Sequence, residues 1–208
     1  MSERQFFEPT ARTKIREAIE SVEAQTSAEL VVAIRRRADP YRHIDITIGC
    51  AFAFVTLLLL LFLPWPFDDR WMPIDITIAF AIGTAISCTT WSTKRWLVRN
   101  ATLHKTTWQA TCTLFHEKGI SRTSGRNGVL VTAFMLEQQV HVAFDIGINP
   151  TILEPGWTQT QDKLRTAVRN HNFTAFTDAL ATLGPILGAA MPRADDDINE
   201  LPDEPDMP

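Results

Sequence analysis

A chain of 208 residues with net charge −4 and a pI near 5.7 holds one ordinary domain and some addition to it. It lacks the basic balance with which a nucleic-acid binder neutralises phosphates. Its three cysteines, Cys50, Cys88 and Cys112, form no CxxC pair, which argues against a disulfide framework or a zinc site.

The opening residues, MSERQFFEPTARTK, are charged and have no apolar core segment, so no cleavable signal peptide is expected. TARTKIREAIESVEAQT then places Ile15, Ala18, Ile19 and Val22 on one helical stripe. SAELVVAI is short and β-branched, the composition of a strand.

Two long uncharged runs follow, Ile46 to Phe67 and Ile76 to Thr93, and each is opened by the pentapeptide IDITI, at Ile44–Ile48 and Ile74–Ile78. A helix rises about 1.5 Å per residue, so about 20 residues cross a hydrocarbon core of roughly 30 Å. The connector PWPFDDRWMP has three prolines and suits a tight turn outside the bilayer. Trp65, Trp71, Trp91 and Trp96 fall at the expected interfaces, where an amphipathic ring is favoured. Ala79, Gly83 and Ser87 repeat every four residues, a small-residue stripe that lets two helices approach closely.

A transmembrane helical hairpin is therefore expected over residues 44–95, with helices about 44–64 and 74–93. Arg35, Arg36, Arg37, Arg42, Lys94, Arg95, Arg99 and Lys105 lie on its flanks, against Arg70 in the connector. The positive-inside rule then puts both flanks, the soluble domain and both termini on the cytoplasmic side. Asp45 and Asp75 each start a helix, where a carboxylate complements the dipole and accepts orphan N–H groups.

Beyond the hairpin a helix is expected from about Trp96 to Lys118, with Leu103, Ala110, Leu114 and Phe115 as its apolar contacts and Gly119 as its stop. GVLVTAFML and VHVAFDI read as a strand hairpin, the second with the alternation of a half-covered strand. Two amphipathic helices close the pattern, about Trp157 to Asn170 and Asn172 to Met191. The fold class is α/β, a small β-sheet layered with helices and interrupted by the hairpin. Residues 1–43 and 96–192 form the discontinuous soluble domain. The acidic, proline-bearing tail, 193–208, is expected to be disordered.

Arg122, Thr123, Arg126 and Asn127 make a polar loop between Gly119 and the first strand of that hairpin, with Gly125 and Gly128 for backbone freedom. As a functional loop it would cradle a phosphate or a partner's anion, because arginine forks match phosphate geometry. As a structural one, its arginines would cap a helix or pair with Glu29 and Asp145. Asp145 ends a strand before Ile146-Gly147. It reads either as a metal ligand or aspartyl-phosphate nucleophile, or as the acceptor of its own turn. His43, His104, His116, His141 and His171 show no HxxxH or HxH spacing, and each reads as a surface or packing histidine. No GxSxG, Walker or Rossmann pattern occurs, since SGRNG lacks the lysine and spacing of a P-loop.

AIESVEAQTSAELVVAI, then LFHEKGISRTSGRNGVLVTAFMLEQQVHVAFDIGI, then FTAFTDALATLGPILGAAMP resemble the TPM domain family in order and spacing, over about residues 7–38 and 96–192. The most specific pieces are Arg122-Thr123, Arg126-Asn127-Gly128-Val129-Leu130 and Asp145-x-Gly147-Ile148. That family includes phosphatase-like proteins and maintenance factors of membrane complexes, and a bacterial membrane-protein branch is the nearest in pattern. The resemblance implies a small sheet layered with helices, an acid phosphatase activity in some members, and calcium held by acidic side chains near strand ends. Carried over to this chain, the calcium ligands would be Asp145 and Glu29, with Glu137 nearby, against the six to eight or so oxygens that calcium takes.

The expectation is a membrane-anchored module of the inner membrane, cytoplasmic in its soluble part. It would bind a membrane protein or complex during assembly or upkeep rather than act as an enzyme. The alternatives are a phosphatase of the TPM type, with Asp145 catalytic, and a regulatory subunit of a channel or transporter.

Overall fold

The structure, a computed structural model, describes residues 3–63, 70–90, 100–154, 156–194 and 198–208. They fall into two compact units, residues 1–39 with 103–208, and residues 40–102.

The first unit is built on three strands, β1 (Glu29–Arg35), β2 (Gly128–Phe134) and β3 (Gln139–Phe144), in the order β1-β2-β3. β1 and β2 run parallel with Glu29 opposite Gly128, and β2 and β3 antiparallel with Val129 opposite Phe144. A parallel pair needs a long crossover, and here it contains the whole second unit. Alternate residues supply two cores. Leu30, Val32, Ile34, Val129, Val131, Ala133, Val140 and Val142 face one layer of helices, while Val31, Ala33, Leu130 and Phe134 face the other way.

The thicker layer contains α1 (Pro9–Glu23), α5 (Gly156–Arg169), α6 (Phe173–Ala181) and α7 (Leu183–Ala190). Pro9 suits the first turn of α1, where its missing N–H would have no partner anyway. Ile15, Ala18, Ile19 and Val22 bury the expected stripe. Phe6, Phe176 and Leu180 are wholly enclosed, each such side chain contributing about 1.5–3 kcal/mol. The expected single helix of 172–191 is two, joined at Thr182. Pro185 has no amide to donate to the carbonyl one turn back, so the helix cannot continue unbroken.

The other face is covered by α4 (Asn100–Glu117), whose buried residues are Leu103, Thr107, Thr111 and Leu114. The residues 96–99 expected to begin this helix lie outside the described ones. The alternation in β3 signals a half-covered strand, but His141 is buried as well. Thr107 and Thr111 give the polar face of β3 and β2 hydroxyl partners in place of water.

Residues 198–208, expected to be disordered with the rest of the tail, instead lie along the outer edge of β1. The Asp206 amide donates to the Val32 carbonyl and the Ile34 amide to the Asp206 carbonyl, both at 2.9 Å. Low apolar content predicts disorder, but the segment is held mainly by polar contacts, which that criterion does not count.

In the second unit, α2 (Arg42–Phe62) and α3 (Met72–Thr89) pack antiparallel. Gly83 and Ser87 of the small-residue stripe are buried. A Cβ on Gly83 would lie 2.7 Å from the Phe52 ring, and one on Gly49 would lie 2.9 Å from Phe80, so the glycines permit the close approach. Asp45 is not a helix cap. It is buried, and the Ser87 hydroxyl donates to its Oδ1 at 2.6 Å. Asp75, at the same position in the other copy of IDITI, is exposed. Three helical stretches, Arg42–Phe62, Met72–Thr89 and Phe173–Ala190, are long and apolar enough to cross a membrane by length and composition. The third is α6 with α7, whose apolar side chains belong to the core of the first unit. Trp65, Trp91 and Trp96 lie outside the described residues.

Candidate functional site

The loop between α4 and β2 begins with a 3₁₀ turn, Ile120–Arg122, entered through Gly119 in the left-handed region at φ 66°. Such a φ favours glycine because no Cβ opposes it. Arg122 is exposed at the end of this turn. Thr123 is buried, and its hydroxyl accepts the Asn127 amide at 3.2 Å while its carbonyl accepts the Arg126 amide at 3.1 Å. The Asn127 side chain donates to the Ser27 carbonyl. The Thr123 and Asn127 side chains therefore hold the loop to itself and to the start of β1.

Arg126 reaches over to the end of β3. Its Nε lies 2.9 Å from Asp145 Oδ2 and its Nη2 donates to Oδ1 at 3.1 Å. Asp145 is buried, and Oδ1 also accepts the Ile146 amide at 2.8 Å. The turn beyond closes back on the loop, the Gly147 amide donating to the Arg126 carbonyl at 2.9 Å. A Cβ on Gly147 would come within 2.6 Å of the Gly125 carbonyl, so only glycine fits there. Arg126, Asp145 and Gly147 thus form one clasp, in which the arginine neutralises a carboxylate that burial would otherwise penalise.

Glu29 and Asp145 lie at the same end of the sheet, on opposite sides of Gly128: Glu29 pairs with Gly128, whose carbonyl accepts the Asp145 amide. A strand separates them, so they stand about two strand spacings, roughly 10 Å, apart along the sheet. Glu29 faces the tail, its carboxylate accepting the Glu200 and Leu201 amides at 3.3 and 3.2 Å. The buried Glu137 accepts the Ala38 amide at 2.9 Å. The three carboxylates weighed as calcium ligands therefore do not converge, and among the described residues no group of three or more His, Cys, Asp and Glu side chains is arranged to hold a metal ion.

Ser124 belongs to no motif in the sequence. Its amide donates to both oxygens of Glu200, at 3.1 and 2.9 Å, and its hydroxyl donates at 2.5 Å. These bonds hold the Glu200 carboxyl below its ordinary range. The loop thus holds two carboxylates of its own chain, Asp145 on Arg126 and Glu200 on Ser124. A serine beside Gly125 and between Arg122 and Arg126 is the available signal, but nothing local names the tail as its partner.

Beside Asp145, α4, β3 and α5 border an open hollow of about 590 Å³, lined largely by Trp108, Phe115, Phe144 and Trp157. Phe144 and Trp157 meet edge to face at 4.9 Å. Cys112, His116, Asp145 and Gln161 supply its few polar atoms, the usual make-up of a pocket for an apolar group with a polar handle. His141, buried on β3, bonds Thr107 at 2.7 Å and meets His104 and Trp108 edge to face. Burial, then the neighbouring His104 and Arg165, push its pKa down to about 4.

No family model matches the chain, and no curated protein does. Among solved structures it is similar to the NMR structure of the BA42 protein from the psychrophilic bacterium Bizionia argentinensis. The match has a TM-score of 0.55 and 17% identity, and covers 95% of this chain and 92% of that one. At that identity the likeness shows the fold alone.

Proposed function

We propose that the protein is a membrane-anchored binding module of the TPM type, its hairpin spanning the inner membrane and its α/β unit docking a membrane protein or complex on the cytoplasmic side. The observation that carries this reading is the contrast at the clasp: the conspicuous polar motif, Arg126, Asp145 and Gly147, is occupied with holding two loops together. Apolar side chains on all sides of the second unit's helices, among them Leu59, Leu61, Ile78 and Ile82, support the anchor. The basic flanks support the orientation.

The test is fractionation and co-purification. Full chain extracted from membranes with mild detergent retains a membrane partner, and alkaline carbonate leaves the chain in the membrane fraction. Phe54→Lys places a charge near the middle of α2, an insertion cost of about 2.5–3.5 kcal/mol, and shifts the chain to the soluble fraction. Recovery of the wild-type chain in the carbonate wash, or of no partner above background, overturns the reading. The phosphatase alternative is tested on a generic phosphomonoester with and without calcium: activity abolished by Asp145→Asn replaces the binding module with an enzyme.

A further inference from the structure

Residues 198–208 meet the first unit at regularly placed anchors. Glu200 sits on the amide and hydroxyl of Ser124. Leu201 packs against the cluster of Val31, Leu130 and Phe134, while its amide bonds Glu29. Six residues on from Glu200, Asp206 bridges the Arg35 guanidinium at 3.2 and 2.6 Å and the Lys118 ammonium at 2.8 Å. Burial would raise the Asp206 carboxyl, but Lys118 and Arg35 outweigh it and hold it below its ordinary value. Met207 then packs on the other core, and its carbonyl accepts from Arg12 at 3.2 Å.

The backbone contribution is small by comparison. Pro202, Pro205 and Pro208 have no amide to donate, and the ladder with β1 consists of two bonds at Asp206. An edge strand offers any extended peptide the same donors and acceptors. The middle of the segment also lies over like charge. Glu20, Glu23 and Glu29 share a hollow of about 180 Å³ with Arg193, Asn199 and Asp203. Burial, then Asp203 and Glu29 beside it, push Glu23 up to about 8, against the Leu30 amide, which favours the charged form. The segment is thus tied at its two ends by carboxylates and held weakly between them.

We propose that residues 198–208 are a tethered stand-in for an acidic, extended segment of a partner protein, which binds along the β1 edge by displacing them. The ligand class is a peptide with one carboxylate for Ser124, a second about six residues later for Arg35 and Lys118, and an apolar side chain after each. This deepens the binding-module reading and rests on it.

The probe is a fluorescent peptide of sequence INELPDEPDMP, titrated into the detergent-solubilised full chain and into a chain ending at Ala194. The shortened chain binds it saturably. The peptide carrying Glu200→Gln and Asp206→Asn binds at least about tenfold more weakly, as loss of charge-assisted hydrogen bonds requires. The full chain also binds at least about tenfold more weakly than the shortened one, because the tethered copy competes at an effective concentration on the order of mM. No saturable binding to a folded shortened chain overturns the proposal, as does equal binding by both chains. A full chain that dimerises through this segment overturns it in favour of a second copy as occupant.

Should the shortened chain fail to fold, the full-length double variant Glu200→Gln/Asp206→Asn decides. Amide exchange at Ile34 rises at least about tenfold with β2 unchanged; unchanged exchange at Ile34 sinks the idea. The peptide assay needs no partner. A chain that binds peptide but retains no membrane partner defeats the binding module alone, whereas equal partner recovery by both chains defeats the stand-in alone.

Discussion

The two units handle the same residue types in opposite ways. Leu30, Leu130, Leu164, Leu180 and Leu183 of the α/β unit are 0–1% exposed, whereas Leu59, Leu61 and Phe62 of α2 are 51, 60 and 79% exposed. In α1 the apolar residues form one stripe, and in α2 they run all the way round, the pattern of a helix meant to be surrounded by apolar matter on every side. Phe173–Ala190 is the instructive middle case: length and composition qualify it to cross a membrane, yet its large side chains face a core. Composition identifies apolar helices; the partner of each face decides what they are for.

The largest effect should come from exchanging one large side chain in each unit. Phe176→Ala removes an enclosed ring that meets Phe6 at 5.6 Å, and should cost about 3–5 kcal/mol. Leu61→Ala should leave the α/β unit's unfolding free energy within about 0.5 kcal/mol of wild type. Thermal unfolding followed by near-ultraviolet circular dichroism compares them. Equal losses would mean that Leu61 is buried in the folded chain and that the contrast is false.

What was legible in the sequence follows the same division. The stripe of α1, the β-branched strands and the apolar runs of α2 and α3 are periodic or compositional, and periodic signals survive without neighbours. The break at Thr182 depends on Pro185 and went unread because the apolar spacing continues through it. The ordered tail and Ser124 were missed for a further reason. Glu200 and Ser124 stand far apart in sequence, and a single carboxylate carries no period. Asp145 and Arg126 both stand out in the sequence, but only the fold shows that they neutralise each other.

Polar contacts sharpen the comparison at intermediate size. Arg126→Ala strands the buried Asp145 carboxylate and should cost about 2 kcal/mol, less than for a fully enclosed pair because the guanidinium is 45% exposed. Asp145→Asn keeps an oxygen for the Ile146 amide and should cost about 1 kcal/mol. Chemical denaturation ranks the two; an Asp145→Asn loss larger than that of Arg126→Ala would place Asp145 outside a simple clasp.

In the second unit Ser87→Ala removes a hydrogen bond to the buried Asp45 without adding bulk. The expected weakening of α2–α3 association is about 1 kcal/mol, the scale of a single interhelical hydrogen bond. Asp75→Ala, at the exposed twin position, should change it by less than about 0.5 kcal/mol. Steric trapping or detergent titration measures both, and equal effects would mean that the two pentapeptides do the same work.

The comparison also has a slope with pH. His141 has its pKa lowered to about 4 from the ordinary 6.5, so between those values the unfolded chain takes up a proton that the folded chain refuses. Its contribution is full above pH 6.5 and falls as pH falls towards 4. Glu23 has the opposite sign, raised from 4.5 to about 8: its contribution is full below 4.5 and is lost as pH rises to 8. The two slopes oppose each other over the shared window, so each needs the other removed. In a Glu23→Gln background, unfolding midpoints measured from pH 4.5 to 7 should fall towards acid. His141→Gln, which keeps an acceptor or donor for Thr107, should flatten that fall. A slope surviving in the double variant would move the acid sensitivity away from the Thr107–His141 contact and onto carboxylates elsewhere in the α/β unit.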